Sequence, residues 1–253
     1  MNSSLPPILL TSSVIAMDQS VALKDPDQRA NYTLDSIGQW LKVSPDIRLV
    51  ICDGSGYDFS GIVKKRYPGS SVECLFFEND KQLVERHGKG YGEGEIIKYA
   101  LLHSPALNDA KWFAKCTGKL WVSNFLGCLK EWNDFFLCKA YFSHVFSFKS
   151  PKFEYVDTRF YLTDKDVYLK YFSEAHLEVG GMNGTSIEDK FKEMVLRNKF
   201  TQVVFRVPPV IQGMGGGAGM YYRNNLIRRF KEKLRSRIVQ SNPSFKNLFN
   251  RTG

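Results

Sequence analysis

Over its first half the chain alternates short apolar runs with stretches whose apolar residues recur at helical spacing. PILLTSSVIAM, IRLVICDGSG, SVECLFFEND and AKWFAKCTG each read as a strand, mostly apolar and closed by turn residues. Between them, TLDSIGQWLK predicts a helix with Thr33 or Asp35 near its N-cap, and FSGIVKKRYPG a short helix stopped by Pro-Gly. In GKGYGEGEIIKYAL, from Gly88 to Leu101, Ile96 pairs with Ala100 and Ile97 with Leu101 four residues on, so a helix is expected behind the glycines. Glu93 and Glu95 would then sit in its first turn, where the helix dipole favours acids. This order predicts a parallel sheet with helices on both faces.

The rhythm changes after Lys119. LWVSNFLGCLKEWNDFF is expected to be helical, AYFSHVFSF and FEYVDTRFYLT to be strands, and DKDVYLKYFSEAHL and SIEDKFKEMVLRN to be helices. FTQVVFRVPPVI reads as a strand and QGMGGGAGM as a loop. From about Tyr221 a basic amphipathic helix is expected, with Leu226, Ile227, Phe230, Leu234 and Ile238 along one side.

Composition narrows the function classes. At 253 residues and 43% hydrophobic, the chain is long enough for a substantial core and too apolar for disorder. No apolar run is long enough to span a bilayer, and the start MNSSLPPILLTSSVIAM lacks the basic region of a signal peptide. A cytoplasmic protein is therefore expected. The five cysteines are odd in number and lack zinc-type spacing, which favours free buried thiols. None of the four histidines stands at metal-ligand spacing from another.

The net charge of +9 calls for an anionic partner. Residues 221–238 carry seven Lys and Arg against Glu232 alone. The aromatic residues lie in strand and core patterns rather than among those lysines, which argues against nucleic acid. The basic helix suits adsorption to an anionic membrane surface, with docking of its apolar stripe onto the domain as the alternative.

Ligands of open α/β sheets bind beyond the carboxyl ends of the strands. Three turns fall there: Asp53-Gly54-Ser55-Gly56, Glu78-Asn79-Asp80 and Lys115-Cys116-Thr117-Gly118-Lys119. Asp53 can hydrogen-bond a nucleoside or simply begin a turn. The glycine stretch is neither a dinucleotide fingerprint nor a P-loop. Gly90 and Gly92 would let helix and loop pass close beneath a ligand such as a nucleoside or sugar, or serve packing alone.

Together VICDGSG, FFEND, GKGYGEGEIIKYAL, FAKCTGKLWV and VDTRFYL resemble bacterial glycosyltransferases of the GT-A-like type that build lipopolysaccharide O-antigens and capsules. The resemblance covers about residues 7–220. It implies a GT-A-like, Rossmann-type, mostly parallel sheet in one domain: residues 1–119 the nucleotide-binding half, 120–220 the acceptor half, and 221–253 a basic C-terminal helix and tail. It implies a nucleotide-sugar donor, most simply a UDP-hexose, above the first four strands. Asp53, Ser55, Asn79, Gly90, Gly92, Glu93, Lys115, Thr117, Gly118, Lys119 and Arg159 are the donor-site candidates. Gly215, Gly216 and Tyr221 join them as a lid.

Many GT-A enzymes hold a divalent metal with Asp-x-Asp at the end of the fourth strand. Here Lys115 to Lys119 stand there, and a lysine can neutralise diphosphate directly. Metal-independent binding is therefore expected, with Mn²⁺ or Mg²⁺ as the alternative. Asp25-Pro26-Asp27 and Asp164-Lys165-Asp166 have the right spacing but read as loop and helix-start acids. Inverting GT-A enzymes commonly place a catalytic acid at a helix start comparable to Ser186-Ile187-Glu188-Asp189. Glu188 or Asp189 is the candidate base, the other serving as cap.

The expected function is hexose transfer to a hydroxyl of a lipid-linked surface polysaccharide, on the inner face of the bacterial inner membrane, with inversion preferred. A nucleotide-sugar-binding scaffold without activity and a nucleic-acid-binding protein are the alternatives.

Overall fold

In the computed structural model, residues 5–147, 149, 152–180, 184–217, 219–223 and 226–241 are described. Of the expected C-terminal helix and tail, residues 224–225 and 242–253 lie outside them.

The first four strands are β1 (Ile8–Ser12), β2 (Leu49–Asp53), β3 (Val72–Phe76) and β4 (Trp112–Thr117). β6 (Phe136–Ser143) and β7 (Lys152–Asp164) complete a six-stranded sheet in the order β3-β2-β1-β4-β7-β6. β2 pairs parallel with both β1 and β3, and β1 parallel with β4, while β7 runs antiparallel to β4 and β6. The chain first builds outward from β1 and then crosses back to lay β4 on its other side. The β1–β4 seam is thus the point where strand order reverses, and a crevice opens beyond the carboxyl ends of such a pair.

Alternate residues of β1 and β2 face opposite cores. Ile8, Leu10, Leu49 and Ile51 pack with Leu34, Ile37 and Trp40 of α1 (Pro26–Val43). Leu9, Val50 and Cys52 pack with Ile96 and Ile97 of α4 (Lys89–His103) and with Phe191 and Val195 of α8 (Ile187–Arg197). α2 (Ser60–Arg66), α3 (Lys81–His87), α5 (Pro105–Asn108), α6 (Phe125–Leu129), α7 (Lys165–Tyr171) and a 3₁₀ turn, Ala175–Glu178, fill the connections. The fold class is as expected, a single α/β domain with a mostly parallel central sheet flanked by helices. All five cysteines are free.

Several local expectations are corrected. α1 begins seven residues before Thr33, because Asp25 caps Gln28 N and Pro26 occupies the first turn. Asp164 likewise caps α7, so both acid pairs open helices. LWVSNFLGCLKEWNDFF does not form one helix: β5 (Leu120–Val122), the one-turn α6 and the start of β6 share it. FTQVVFRVPPVI makes one bridge, Val204 to Cys138, before Pro208 and Pro209 interrupt any ladder. QGMGGGAGM belongs to a hairpin rather than a loop. Its strands β8 (Ile211–Gly215) and β9 (Met220–Tyr222) join β5 in a second sheet.

Gly90, Gly92 and Gly94 lie inside α4, not ahead of it. The helix starts at Gly88, whose φ of 83° both ends α3 and turns the chain into α4. The interior glycines survive because neighbours press on the helix backbone. A Cβ on Gly94 would lie 2.1 Å from Cγ of His176, and one on Gly90 3.1 Å from Cβ of Ile187. Glu93 and Glu95 therefore fall beyond the first turn, where packing rather than the dipole sets their partners.

The last helix, α9 (Leu226–Ser241), docks only partly by its apolar stripe: Ile238 packs on the core, and residues off the stripe complete the contact. Val239 is buried, Ser236 donates to Phe205 O at 2.8 Å, and Glu232 pairs with Lys139 at 2.7 Å. Ile227 and Phe230 of the stripe remain 68% and 69% exposed.

These contacts separate two glycine substitutions that sequence alone treats alike. Gly94→Ala should destabilise the fold by about 1–3 kcal/mol, since overpacking outweighs the helix propensity gained. Gly61→Ala in α2 meets nothing within 4 Å and should stabilise by roughly 0.5–1 kcal/mol. Urea unfolding of the two variants checks both signs.

Candidate active site

A cleft of about 800 Å³ opens over the β1–β4 seam. Its floor is a buried ion pair. Lys115, in the middle of β4, has a fully buried side chain, and its Nζ donates to Glu93 Oε1 at 2.6 Å and to Thr158 O at 2.8 Å. The same Glu93 oxygen accepts from Thr11 Oγ1 of β1 at 2.8 Å. Glu93 thus ties α4 to β1 and β4, and Lys115 extends the tie to β7. Gly54, just past β2, lets α4 lie close to the sheet, since a Cβ there would sit 2.6 Å from Ile96 Cγ1.

One wall gathers cations. Lys119, just past β4, is 4% exposed, and its amine has no hydrogen-bond partner among the described residues. Burial, with the charge of Arg29 adding to it, pushes its pKa down to about 7, against the pull of Asp53 and Glu93. Arg29 of α1 is also buried and clamps the segment after β1 through Ser13 O and Leu23 O. Burial lowers its pKa too.

The β8–β9 turn lies directly over these groups. A Cβ on Gly216 would sit 2.8 Å from Lys119 Cε, and one on Gly217 2.6 Å from Lys89 Nζ. Ala22 N and Leu23 N donate to Gly217 O and Gly216 O, which fixes the turn above the cations. Three cations therefore meet under a glycine turn that can admit a ligand close to its backbone. Ser12 Oγ, on the same rim, is buried with no partner among the described residues.

The opposite wall comes from β6, β7 and α8. Glu188 accepts from Thr158 Oγ1 at 3.1 Å and faces the cleft. Asp189 closes a capping box with Ser186, accepting from its hydroxyl at 2.7 Å and its N–H at 3.2 Å. The Ser186 hydroxyl holds the Asp189 carboxyl below its ordinary range. Asp189 thus completes the capping box as its N3 acid, while Glu188 takes no part in the cap. Beside them Tyr141 and Tyr155 stack with centroids 4.6 Å apart. Burial and Tyr141 push the Tyr155 phenol up to about 12. Arg159 pairs with Asp157 and lies 4.8 Å over the Tyr222 ring. Burial opposes its charge, but the Asp157 carboxylate outweighs it and raises the pKa.

Of the residues singled out from sequence, Asn79, Gly90, Gly92, Glu93, Thr117, Lys119, Arg159, Glu188, Asp189, Gly215 and Gly216 line the cleft. Five do not. Asp53 directs its carboxylate at Val14 N, Ser55 N and Ser55 Oγ, and Ser55 Oγ in turn accepts from Ile15 N. Both shape the turn beside the cleft. Lys115 is spent on Glu93 beneath the floor. Gly118 is held by close approach, since a Cβ there would lie 2.8 Å from Thr11 O. Tyr221 points outward at 45% exposure, and its neighbour Tyr222 takes the inner place.

Sequence reading missed Arg29, Lys89, Ser12, Tyr141 and Tyr155. Lys89 lay within the glycine stretch already under scrutiny. Arg29 sits in a polar helix start with no local mark of burial. Among the described residues no group of three or more His, Cys, Asp or Glu is placed to hold a metal ion.

No family model matches this sequence, and no curated protein matches it significantly. Solved structures do share its fold. The inositol-1-phosphate CTP transferase from T. maritima superposes with a TM-score of 0.50 at 14% identity, covering 95% of this chain and 99% of that one. A Desulfovibrio desulfuricans protein assigned as a nucleotide-diphospho-sugar transferase gives 0.49 at 11% identity, covering 96% and 97%. A glycosyltransferase involved in the glycosylation of the major capsid of PBCV-1 gives 0.45 at 13%, covering 79% and 81%. At these identities the likeness is one of fold alone.

Lys119 makes stability depend on pH. Its folded pKa of about 7 lies below its ordinary 10.5, so the unfolded chain holds more protons between those values. The cost of burying its charge is full below pH 7 and fades as pH rises towards 10.5. Lys119→Met should therefore raise the melting temperature most near pH 6 and progressively less towards pH 10. Thermal unfolding across that range is the check. An advantage for the variant that grows with pH would rule out a buried lysine of lowered pKa.

Proposed function

We propose that this chain is a glycosyltransferase that moves a hexose from a nucleotide sugar, preferably a UDP-sugar, to an acceptor hydroxyl. The observation that carries this reading is the division of the cleft, with unanswered positive charge at the β1–β4 seam and a presented carboxylate, Glu188, on the far wall. In this reading the diphosphate lies under the Gly215–Gly217 turn, where Lys119, Arg29 and Lys89 answer its charge without a metal. The stacked Tyr141 and Tyr155 offer an apolar platform for a sugar ring.

The chemistry follows by direct displacement. The acceptor oxygen attacks the anomeric carbon while Glu188 removes its proton. The bond from that carbon to the diphosphate oxygen breaks, and the nucleoside diphosphate leaves with the electron pair. Its added negative charge develops beside Lys119, whose protonation the ligand favours. The anomeric centre is inverted.

The acceptor in this proposal is a lipid-linked bacterial surface polysaccharide, O-antigen or capsule, and the protein sits on the inner face of the inner membrane. The support is twofold. The sequence motifs resemble enzymes of that pathway, and α9 turns Ile227, Phe230 and Leu234 to solvent amid Arg229, Lys231 and Lys233. No helix among the described residues is long and apolar enough to cross a membrane. A second reading, transfer of a nucleotidyl group, is favoured by the same three cations, which would also suit a triphosphate. The products separate the two: nucleoside diphosphate is released in the first case and pyrophosphate in the second.

The decisive experiment is calorimetric titration with UDP, GDP and CMP, and with the matching UDP-hexoses, with EDTA and with Mn²⁺. Binding of UDP unchanged by EDTA supports the metal-free cation site; binding only with Mn²⁺ overturns it. In turnover assays Glu188→Gln should lower kcat by roughly 10²–10⁴ with little change in donor KM. Asp189→Ala should instead cost about 1 kcal/mol of stability or less, through the lost side-chain half of the capping box, and far less in kcat. The reverse ranking would make Asp189 the base.

Membrane adsorption has its own check. Ile227→Glu combined with Phe230→Glu should weaken co-sedimentation with phosphatidylglycerol vesicles at least tenfold. Unchanged sedimentation would remove α9 from the membrane contact.

A further inference from the structure

A second cavity, of about 300 Å³, adjoins the cleft between α9, β6 and the segment leading into β8. Tyr141, Arg159 and Tyr222 line both spaces, so they form a shared wall. The second cavity is cationic: Lys139, Arg159, Arg229 and Lys233 line it against the single carboxylate of Glu232. Two of these cations are part of the framework. Lys139 pairs with Glu232 at 2.7 Å and lies 4.8 Å over the Tyr141 ring, while Arg159 pairs with Asp157. Arg229 and Lys233 are exposed and make no ion pair among the described residues.

The remaining surface is apolar. Val207, Pro208, Pro209, Val210 and Ile211 form one side. Phe230 stands at the rim, continuous with the exposed stripe of α9. Uncommitted cations beside an apolar wall suit an anionic group joined to a nonpolar body. Charge-assisted hydrogen bonds hold the anion, and the low-polarity wall strengthens them. The planar fork of Arg229 can take phosphate oxygens in pairs, and Lys233 adds a point charge beside it.

We propose that this cavity binds the phosphate-bearing end of the acceptor, which enters the cleft past Tyr141 and Tyr222. The inference rests on the transferase reading above and adds to it a separate site for the acceptor's phosphate and the residues that hold it. A molecule anchored here reaches the cleft across the shared wall and presents its hydroxyl on the side of Glu188. Donor and acceptor phosphates then occupy separate cation sets, Lys119 with Arg29 and Lys89 for one, Arg229 with Lys233 for the other.

The test uses calorimetry on the full chain with two probes, farnesyl phosphate and inorganic phosphate. Three proteins are compared: the wild type, Arg229→Ala/Lys233→Ala, and Lys64→Ala/Lys65→Ala, which removes equal charge from α2 away from the cavity. Farnesyl phosphate should bind the wild type and the α2 variant alike, and the cavity variant roughly tenfold or more weakly. Tighter binding of farnesyl phosphate than of inorganic phosphate would name a lipid phosphate. Equal binding of the two, still lost in the cavity variant, would name a phosphate without lipid.

Absence of saturable binding, or equal weakening in both variants, would overturn the cavity assignment. UDP titrated into the same three samples reports separately on the donor cleft. If UDP fails to bind while farnesyl phosphate binding depends on Arg229 and Lys233, the transferase reading falls and the anion cavity stands. If UDP binds and farnesyl phosphate does not, the reverse holds.

Discussion

A lysine whose side chain has no contact with solvent must have its charge answered inside the protein, and for Lys115 the answer is Glu93. Breaking such a pair leaves a buried charge that costs about 3–5 kcal/mol, so the elements that carry the two residues are held in one arrangement. Those elements are β4 and α4, and through Thr11 and Thr158 also β1 and β7. The seam where ligands of this fold class bind is thereby built around a fixed polar knot. The glycines of α4 serve its other faces. The helix must lie close enough to the sheet for Glu93 to reach Lys115, while Val84, His176 and Ile187 press on its other sides. Side chains at Gly90, Gly92 or Gly94 would hold those neighbours away.

With Lys115 neutralised below the floor, the charge above it is sorted by position. Lys119 and Arg29 are buried near each other, and the Arg29 charge makes Lys119 harder to protonate. A lysine poised near neutrality has no native partner to give up when an anion arrives. The acid side is arranged in the opposite way. Asp189 is committed to its helix, Asp157 to Arg159, and Glu188 is left with one hydroxyl contact. Cation and carboxylate therefore face each other across the cleft instead of pairing. The β8–β9 hairpin makes the arrangement possible, because its glycines let backbone lie directly on Lys119.

Much of this was legible in the residues. The first four strand runs, the βα alternation that joins them and the three turns at their ends appear where the pattern placed them, and eleven of the chosen residues line one cleft. The roles were less legible. Lys115 and Lys119 lie four apart on one strand and its turn, and nothing local says that one is spent on Glu93 and the other left free. Asp53 could be a ligand or a turn acid by its place at a strand end, and four donors, Val14 N after β1 and three groups of its own turn, claim it. The stripe of α9 was visible in the spacing. The outward orientation of Ile227, Phe230 and Leu234 was not, because Glu232, Ser236 and Val239 share the docking face with Ile238.

The sequence by itself determined the alternating α/β order, the placement of its turns and the choice of Ser186 as a helix cap. These depend on neighbours a few residues apart, and their physics is local. Only the tertiary structure decided which charges cancel and which remain. Glu93 and Lys115 are 22 residues apart, and Thr158 and Glu188 are 30 apart. Arg29 and Lys119 meet only because β1 and β4 become neighbours when the chain crosses back. A charge is answered by whatever lies within a few ångströms of it, and distance along the chain does not set that.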